Sequence, residues 1–127
     1  MRNQQALRIR TNGKIDKIQI ENLEDMQAAV GDGYIEALPI DEQKHGMSVY
    51  INEEGRLLEQ PINMTATLFL LRHDVWPGFD SPIHGDVLIL GPLDDEGDNT
   101  DVDPELYDRL PKFWVEPKFE VFPLEVG

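Results

Sequence analysis

Leu7-Arg8-Ile9-Arg10-Thr11-Asn12-Gly13-Lys14-Ile15-Asp16-Lys17-Ile18-Gln19-Ile20 is the stretch whose reading decides the fold. Leu7 and Ile9 alternate with Arg8 and Arg10, and Ile18 and Ile20 alternate with Lys17 and Gln19. Such alternation has the two-residue period of a strand with one buried face. Between the runs stands Asn12-Gly13, a pair that accepts the positive φ angles of a type I′ turn. The stretch reads as a β-hairpin. Lys14, Ile15 and Asp16 precede the clean alternation and leave its register open.

Downstream, Asn22 is placed to cap a helix with acids in its first turn. Leu23, Met26 and Val30 share one helical face, and Gly31 supplies the stop. Gly33–Pro39 and Met47–Ile51 read as strands, and Asn52-Glu53-Glu54-Gly55 as a tight turn into Arg56-Leu57-Leu58. From Asn63 to His73 two periods compete. Met64, Leu68 and Leu71 fit a helix, whereas Met64, Ala66, Leu68 and Leu70 fit a strand. Pro61 and Asn63 are start signals and favour the helix. Asp74–Gly85 is a Pro- and Gly-containing loop, Asp86–Leu90 a buried strand, and Leu93–Asp103 an acidic loop. Pro104–Leu110 is a short helix capped by Asp103. Phe113–Phe122 is apolar but broken by Pro117, which suits an edge or docking arm better than a central strand. This order predicts an α+β domain over residues 1–103, with a mixed or antiparallel sheet carrying one or two helices, as in a grasp-like fold. Residues 104–127 form a Pro- and aromatic-rich tail docked on that domain.

With 127 residues the chain suits one domain, and 40% hydrophobic content is enough to bury a core. Eleven Lys and Arg against 25 Asp and Glu give a net charge of −14. That balance excludes direct nucleic-acid binding through a basic surface and adhesion to an anionic membrane. With no Cys there are no disulfides, thiolate metal sites or Cys nucleophiles. No apolar segment is long enough for a signal core or a spanning helix, so a soluble cytoplasmic protein is expected. Residues 1–20 carry a charge of +4, which leaves −18 on the remainder. The densest acidic run is Asp94-Asp95-Glu96-Gly97-Asp98-Asn99-Thr100-Asp101-Val102-Asp103-Pro104-Glu105. Carboxylates this close prefer solvent, a cation or a basic partner. Asp94, Glu96, Asp98, Thr100 and Glu105 match positions one, three, five, seven and twelve of a calcium loop. Asn99 stands at position six, where that loop needs Gly, and helical flanks are missing. No metal or other cofactor is assigned.

Catalytic constellations are sparse. Ser48 and Ser81 lie outside any nucleophile elbow, and no phosphate-binding glycine pattern occurs. His73-Asp74 and His84-Gly85-Asp86 are the residues a metal-dependent enzyme would use. An Asp before an apolar strand commonly satisfies loop amides, so Asp86 is read first as structural. Trp76, Phe79, Phe113, Trp114, Phe119 and Phe122 suit core packing, with an exposed patch for a partner or for self-association as the alternative.

Three segments carry a resemblance: Gly33-Tyr34-Ile35-Glu36-Ala37-Leu38-Pro39, then Asn52-Glu53-Glu54-Gly55-Arg56-Leu57 with Pro61-Ile62-Asn63, then Ile83-His84-Gly85-Asp86-Val87-Leu88-Ile89-Leu90-Gly91. Their order and spacing, over residues 14–98, are similar to an uncharacterised family of small domains of phages, plasmids and actinobacteria. The resemblance implies a mobile-element origin and a small α+β domain, and it supplies no catalytic residues.

The leading expectation is a non-enzymatic phage accessory protein that binds a basic or nucleic-acid-binding host protein. Asp94, Asp95, Glu96, Asp98, Asp101 and Asp103 would make the contact, as an imitation of nucleic acid, with Trp76 and Trp114 as anchors. The alternative is a small-ligand binding or sequestering protein that uses Tyr34, Tyr50, His84 and Asp86.

Overall fold

The computed structural model describes residues 4–55, 59–73, 75 and 83–108. Strands β1 (Gln4–Ile9) and β2 (Ile15–Ile20) form the expected hairpin, with Arg8 opposite Asp16 and Ile9 opposite Ile15. Its turn differs from expectation. Gly13 has φ 92°, but Asn12 does not share the positive φ that a type I′ turn requires at both central residues. The Gly13 amide donates to Arg10 O at 2.9 Å, and the Arg10 amide to Lys14 O at 2.8 Å. This is a type I turn followed by a left-handed glycine, the usual three-residue hairpin loop. Asn12 serves the loop through its side chain, whose Oδ1 accepts the Lys14 amide.

Helix α1 (Leu23–Ala29) starts at Asn22, whose Oδ1 accepts the Asp25 amide at 2.8 Å. Asp25 in turn accepts the amide of Glu21, the residue before the cap, and so holds the chain as it enters the helix. The buried face is Met26, Ala29 and Val30, while Leu23 points outward at the first helical position, contrary to its sequence reading. Strand β3 (Ile35–Ala37) is shorter than its apolar run. A four-residue helix, α2 (Glu42–His45), follows where none was expected; Asp41 accepts the Lys44 amide at its start. Strand β4 (Ser48–Asn52) comes next, then α3 (Met64–Arg72), β5 (Val87–Leu90) and α4 (Pro104–Asp108). The stretch after Asn63 is thus helical, and Asn63 is its cap.

The sheet runs β2-β1-β5-β4-β3, and every pairing is antiparallel. Its centre, β5, is the last strand in sequence among the described residues. Val87 and Ile89 face a cluster built with Leu7, Ile9, Val49, Phe69 and Leu70; α3 covers this face, and Val102 and Leu106 join it. Leu88 and Leu90 face the opposite cluster with Ala6, Ile20, Tyr50, Met26 and Val30, under α1. Burial on both faces explains why β5 is apolar throughout, whereas β2 alternates. Leu106 of α4 packs in the core, so the domain body extends to at least this residue.

Asn63 is fully buried where β1, β5 and α3 meet. Its Oδ1 accepts the Ala66 amide at 2.9 Å, and its Nδ2 donates to Ile9 O and to Gly85 O, each at 2.8 Å. Asn63→Ala strands two buried carbonyls and one helix amide, and should cost about 3 kcal/mol in urea unfolding. Asn63→Asp keeps the cap but loses both donors and buries a charge. It should unfold at a urea concentration no higher than the Ala variant; near-native stability for Asp would contradict this network.

Candidate functional site

After Leu90 the chain leaves the sheet at Gly91 and returns at Asp101. The excursion is a small hairpin. The Gly91 amide donates to Thr100 O at 2.9 Å, the Thr100 amide to Pro92 O at 3.2 Å, and the Asp94 amide to Asp98 O at 2.8 Å. Leu93 and Asn99 form an antiparallel bridge. At the tip, Asp94 Oδ1 accepts the amides of Glu96 and Asp98, a local closure that Asp side chains favour. Gly91 is needed at the root, because a Cβ there would lie 2.2 Å from Asp101 O.

The root is fixed to the sheet. The Val102 amide donates to Gln5 O at 2.9 Å, and the Gln5 amide to the Asp101 carboxylate at 2.9 Å. Residues 101–102 therefore sit beside β1 where β5 would have continued. Asn99 is buried; its Nδ2 donates to the Tyr50 hydroxyl at 2.8 Å, and its carbonyl accepts from Gln4 Nε2. Gln4 and Tyr50 are buried as well. Their position left little sequence signal, because both roles depend on pairings some fifty residues or more away.

Beyond this root Asp95, Glu96, Asp98, Asp101 and Asp103 are exposed and Asp94 is half-buried. The structure thus gathers all six acids of the expected contact on one short segment. The same end of the sheet, where β2 runs out into α1, carries exposed Glu21 and Glu24, which the sequence reading did not include. The described residues hold six Lys or Arg and twenty Asp or Glu, so the whole charge of −14 falls on them. Arg8 lies 2.9 Å and Arg10 3.7 Å from Asp16 Oδ2.

One oxygen each of Asp94, Glu96 and Asp98 falls within 4.8 Å of the others. The flanks are strand β5 and the five-residue α4, not the paired helices of a calcium hand. Asp94 is also occupied with two backbone amides. The cluster is accounted for by the turn it closes, and no metal is assigned to it.

The alternative ligand residues occupy separate positions. Tyr34 is exposed at the start of the edge strand β3. Tyr50 is buried under α1 and bonded to Asn99. His84 Nδ1 lies 2.9 Å from Gln60 O. Asp86 accepts the Thr11 amide at 3.0 Å, which makes it a clamp between the first turn and β5. A groove of about 230 Å³ between β1 and residues 101–104 is lined by Gln5, Leu7, Lys17 and Pro104 among others, and by none of these four. His73 ends α3 and stacks at a tilt on Phe69, 4.6 Å between ring centroids. Asp74, Trp76, Phe79, Ser81, Phe113, Trp114, Phe119 and Phe122 lie outside the described residues.

The family model described as Domain of unknown function (DUF3846) matches residues 1–114. The chain belongs to this family. An uncharacterised domain family is what the three sequence segments had suggested, and the match extends beyond them to both sides. Residues 115–127 fall beyond the match. No curated protein matches the chain, nor does any solved structure. Among the described residues no helix is long and apolar enough to cross a membrane.

The root contacts make a measurable claim. Asn99→Ala removes the amide that holds Tyr50 and loosens the hairpin while the sheet persists. Cleavage after Glu96 by a Glu-specific protease should then rise about tenfold, the equivalent of ~1.4 kcal/mol of local opening. Tyr50→Phe, which removes the same bond from the other side, should raise it as well. Unchanged cleavage in both variants would mean that these contacts do not hold the hairpin.

Proposed function

We propose that this protein is a non-enzymatic accessory protein of a phage or other mobile element, acting in the host cytoplasm by binding a basic host protein through its acidic hairpin. The partner is a nucleic-acid-binding protein, and the hairpin occupies a site that otherwise holds phosphates. The observation that carries this reading is the fixed root of the hairpin: Gly91, Asn99 and Val102 tie an acidic segment to the central sheet. A loop that merely aids solubility gains nothing from being held in one shape. A binding surface does, because ordering it in advance removes an entropic cost from association. Its charge also accelerates encounter with a basic site and disfavours acidic competitors.

The test pairs two baits in capture from host lysate: the native chain and the variant Asp94→Asn, Asp95→Asn, Glu96→Gln, Asp98→Asn. Asn at position 94 keeps the Oδ1 acceptor, so the turn is preserved while charge is lost. The native bait should retain a nucleic-acid-binding protein that modest salt or duplex DNA displaces. The variant should hold that protein about tenfold more weakly and with a shallower salt dependence. Equal retention by both baits would exclude the hairpin as the contact.

A further inference from the structure

A groove of about 230 Å³ runs between β1 and residues 101–104, beside the root of the acidic hairpin. Ala6, Leu7, Val102 and Pro104 give it an apolar lining, and Asp101 and Asp103 stand along one wall. Lys17 of β2 also reaches the lining, so carboxylates outnumber bases there. Leu7 and Val102 belong to the hydrophobic core, while Gln5 on the β1 side is exposed. The two walls are tied together: the Gln5 amide donates to the Asp101 carboxylate and the Val102 amide to Gln5 O, each at 2.9 Å. The groove therefore exists before anything enters it. Pockets that enclose a whole small molecule measure roughly 300–1,000 Å³. This one is smaller and has room for a single side chain.

We infer that the groove seats one aliphatic side chain of the partner protein, carried in a lysine- and arginine-rich segment whose charges lie along the acidic hairpin. The assignment rests on that hairpin being the partner contact, and it names what the partner must bring besides charge. Charge complementarity selects this occupant. Asp101 and Asp103 flank the groove, and Asp94, Asp95, Glu96 and Asp98 continue the carboxylates along the same segment. A chain that lays bases on those acids crosses the apolar lining as well, and an aliphatic side chain there displaces water from it. A phosphate chain is repelled, and a second copy brings another −14. Interfaces commonly concentrate affinity in such an apolar anchor within a polar rim. Charge alone would accept any basic protein, whereas the groove discriminates among them by a contact that salt does not screen.

Two peptides of equal charge test this on the full-length protein: KRKLKRK and KRKAKRK, titrated calorimetrically at rising salt. A buried methylene is worth roughly a fourfold gain in affinity, so with its leucine half-covered the first peptide should bind about tenfold more tightly than the second. Both affinities should fall with salt while their ratio persists. Gln5→Phe fills the groove from β1 with a residue that strands favour and leaves the backbone bonds in place. The ratio should then fall to about one. In NMR spectra of the native chain the leucine peptide, and not the alanine peptide, should shift the Leu7 and Val102 methyl signals. Equal binding of both peptides by the native chain overturns this assignment, as does a leucine preference that survives in a folded Gln5→Phe protein. A concentration-dependent dimer that forms without peptide and is dispersed by Gln5→Phe overturns it too, in favour of a second copy. Failure of the hairpin reading shows differently: the four-acid variant would bind both peptides as the native chain does. A leucine preference that Gln5→Phe abolishes still upholds the groove in that case.

Discussion

The junction at Asn63 is the constraint on which the remaining architecture rests. One buried amide side chain caps α3 and holds the carbonyls at the end of β1 and the approach to β5. Thr67 continues the network: its hydroxyl donates to Asn63 O and accepts the Ile83 amide. Buried polar networks of this kind are stabilising only when complete, and here they fix where the helix lies on the sheet. The same device recurs on the other face. Asn52, at the end of β4, donates to Val30 O and Asp32 O and accepts the Glu54 amide, which ties the end of α1 to the sheet. With Asn99 at the acidic hairpin, three buried asparagines each tie a connecting segment to the core.

That arrangement gives the acidic segment a different character from a solvated loop of equal composition. The carboxylates repel one another, and their separation in solution would otherwise be set by that repulsion and by chain entropy. Here the fold pins the ends through Gly91 and Val102, and Asp94 turns its own carboxylate into part of the backbone scaffold. The cost of bringing like charges together is met by the folding of the domain rather than by a binding event.

Local chemistry was readable from the sequence, and long-range pairing was not. Asn12-Gly13, Asn22, Asn63 and Asn52–Gly55 each announce an element by the bonds their own side chains or neighbours make, and each appears where expected. Asp41 before Glu42-Gln43-Lys44-His45-Gly46 is the same kind of signal, cap first and glycine last, and it marks α2. Periodicity carried less. Met64, Leu68 and Leu71 do share a face of α3, but it is the outer one, because a helix apolar on both sides gives no indication of which side meets the sheet. Tyr50 is named from the sequence as a candidate ligand group beside Tyr34, His84 and Asp86. In the fold its hydroxyl accepts from an asparagine 49 residues away, and no local pattern encodes such a contact. Likewise Asn99 was weighed only as a mismatch in a calcium loop, although it holds that loop to the core.

The strand order has a consequence for how the chain is made. β1 pairs with β2, and β3 with β4, and among the described residues these two pairs are joined into one sheet through β5. A two-stranded ribbon is marginal in water, and neither pair has its apolar faces covered without the strand between them. The keystone is residues 87–90, so a growing polypeptide carries two unjoined half-sheets until that strand has left the ribosome. The sheet closes when β5 slots between partners made some forty and eighty residues earlier.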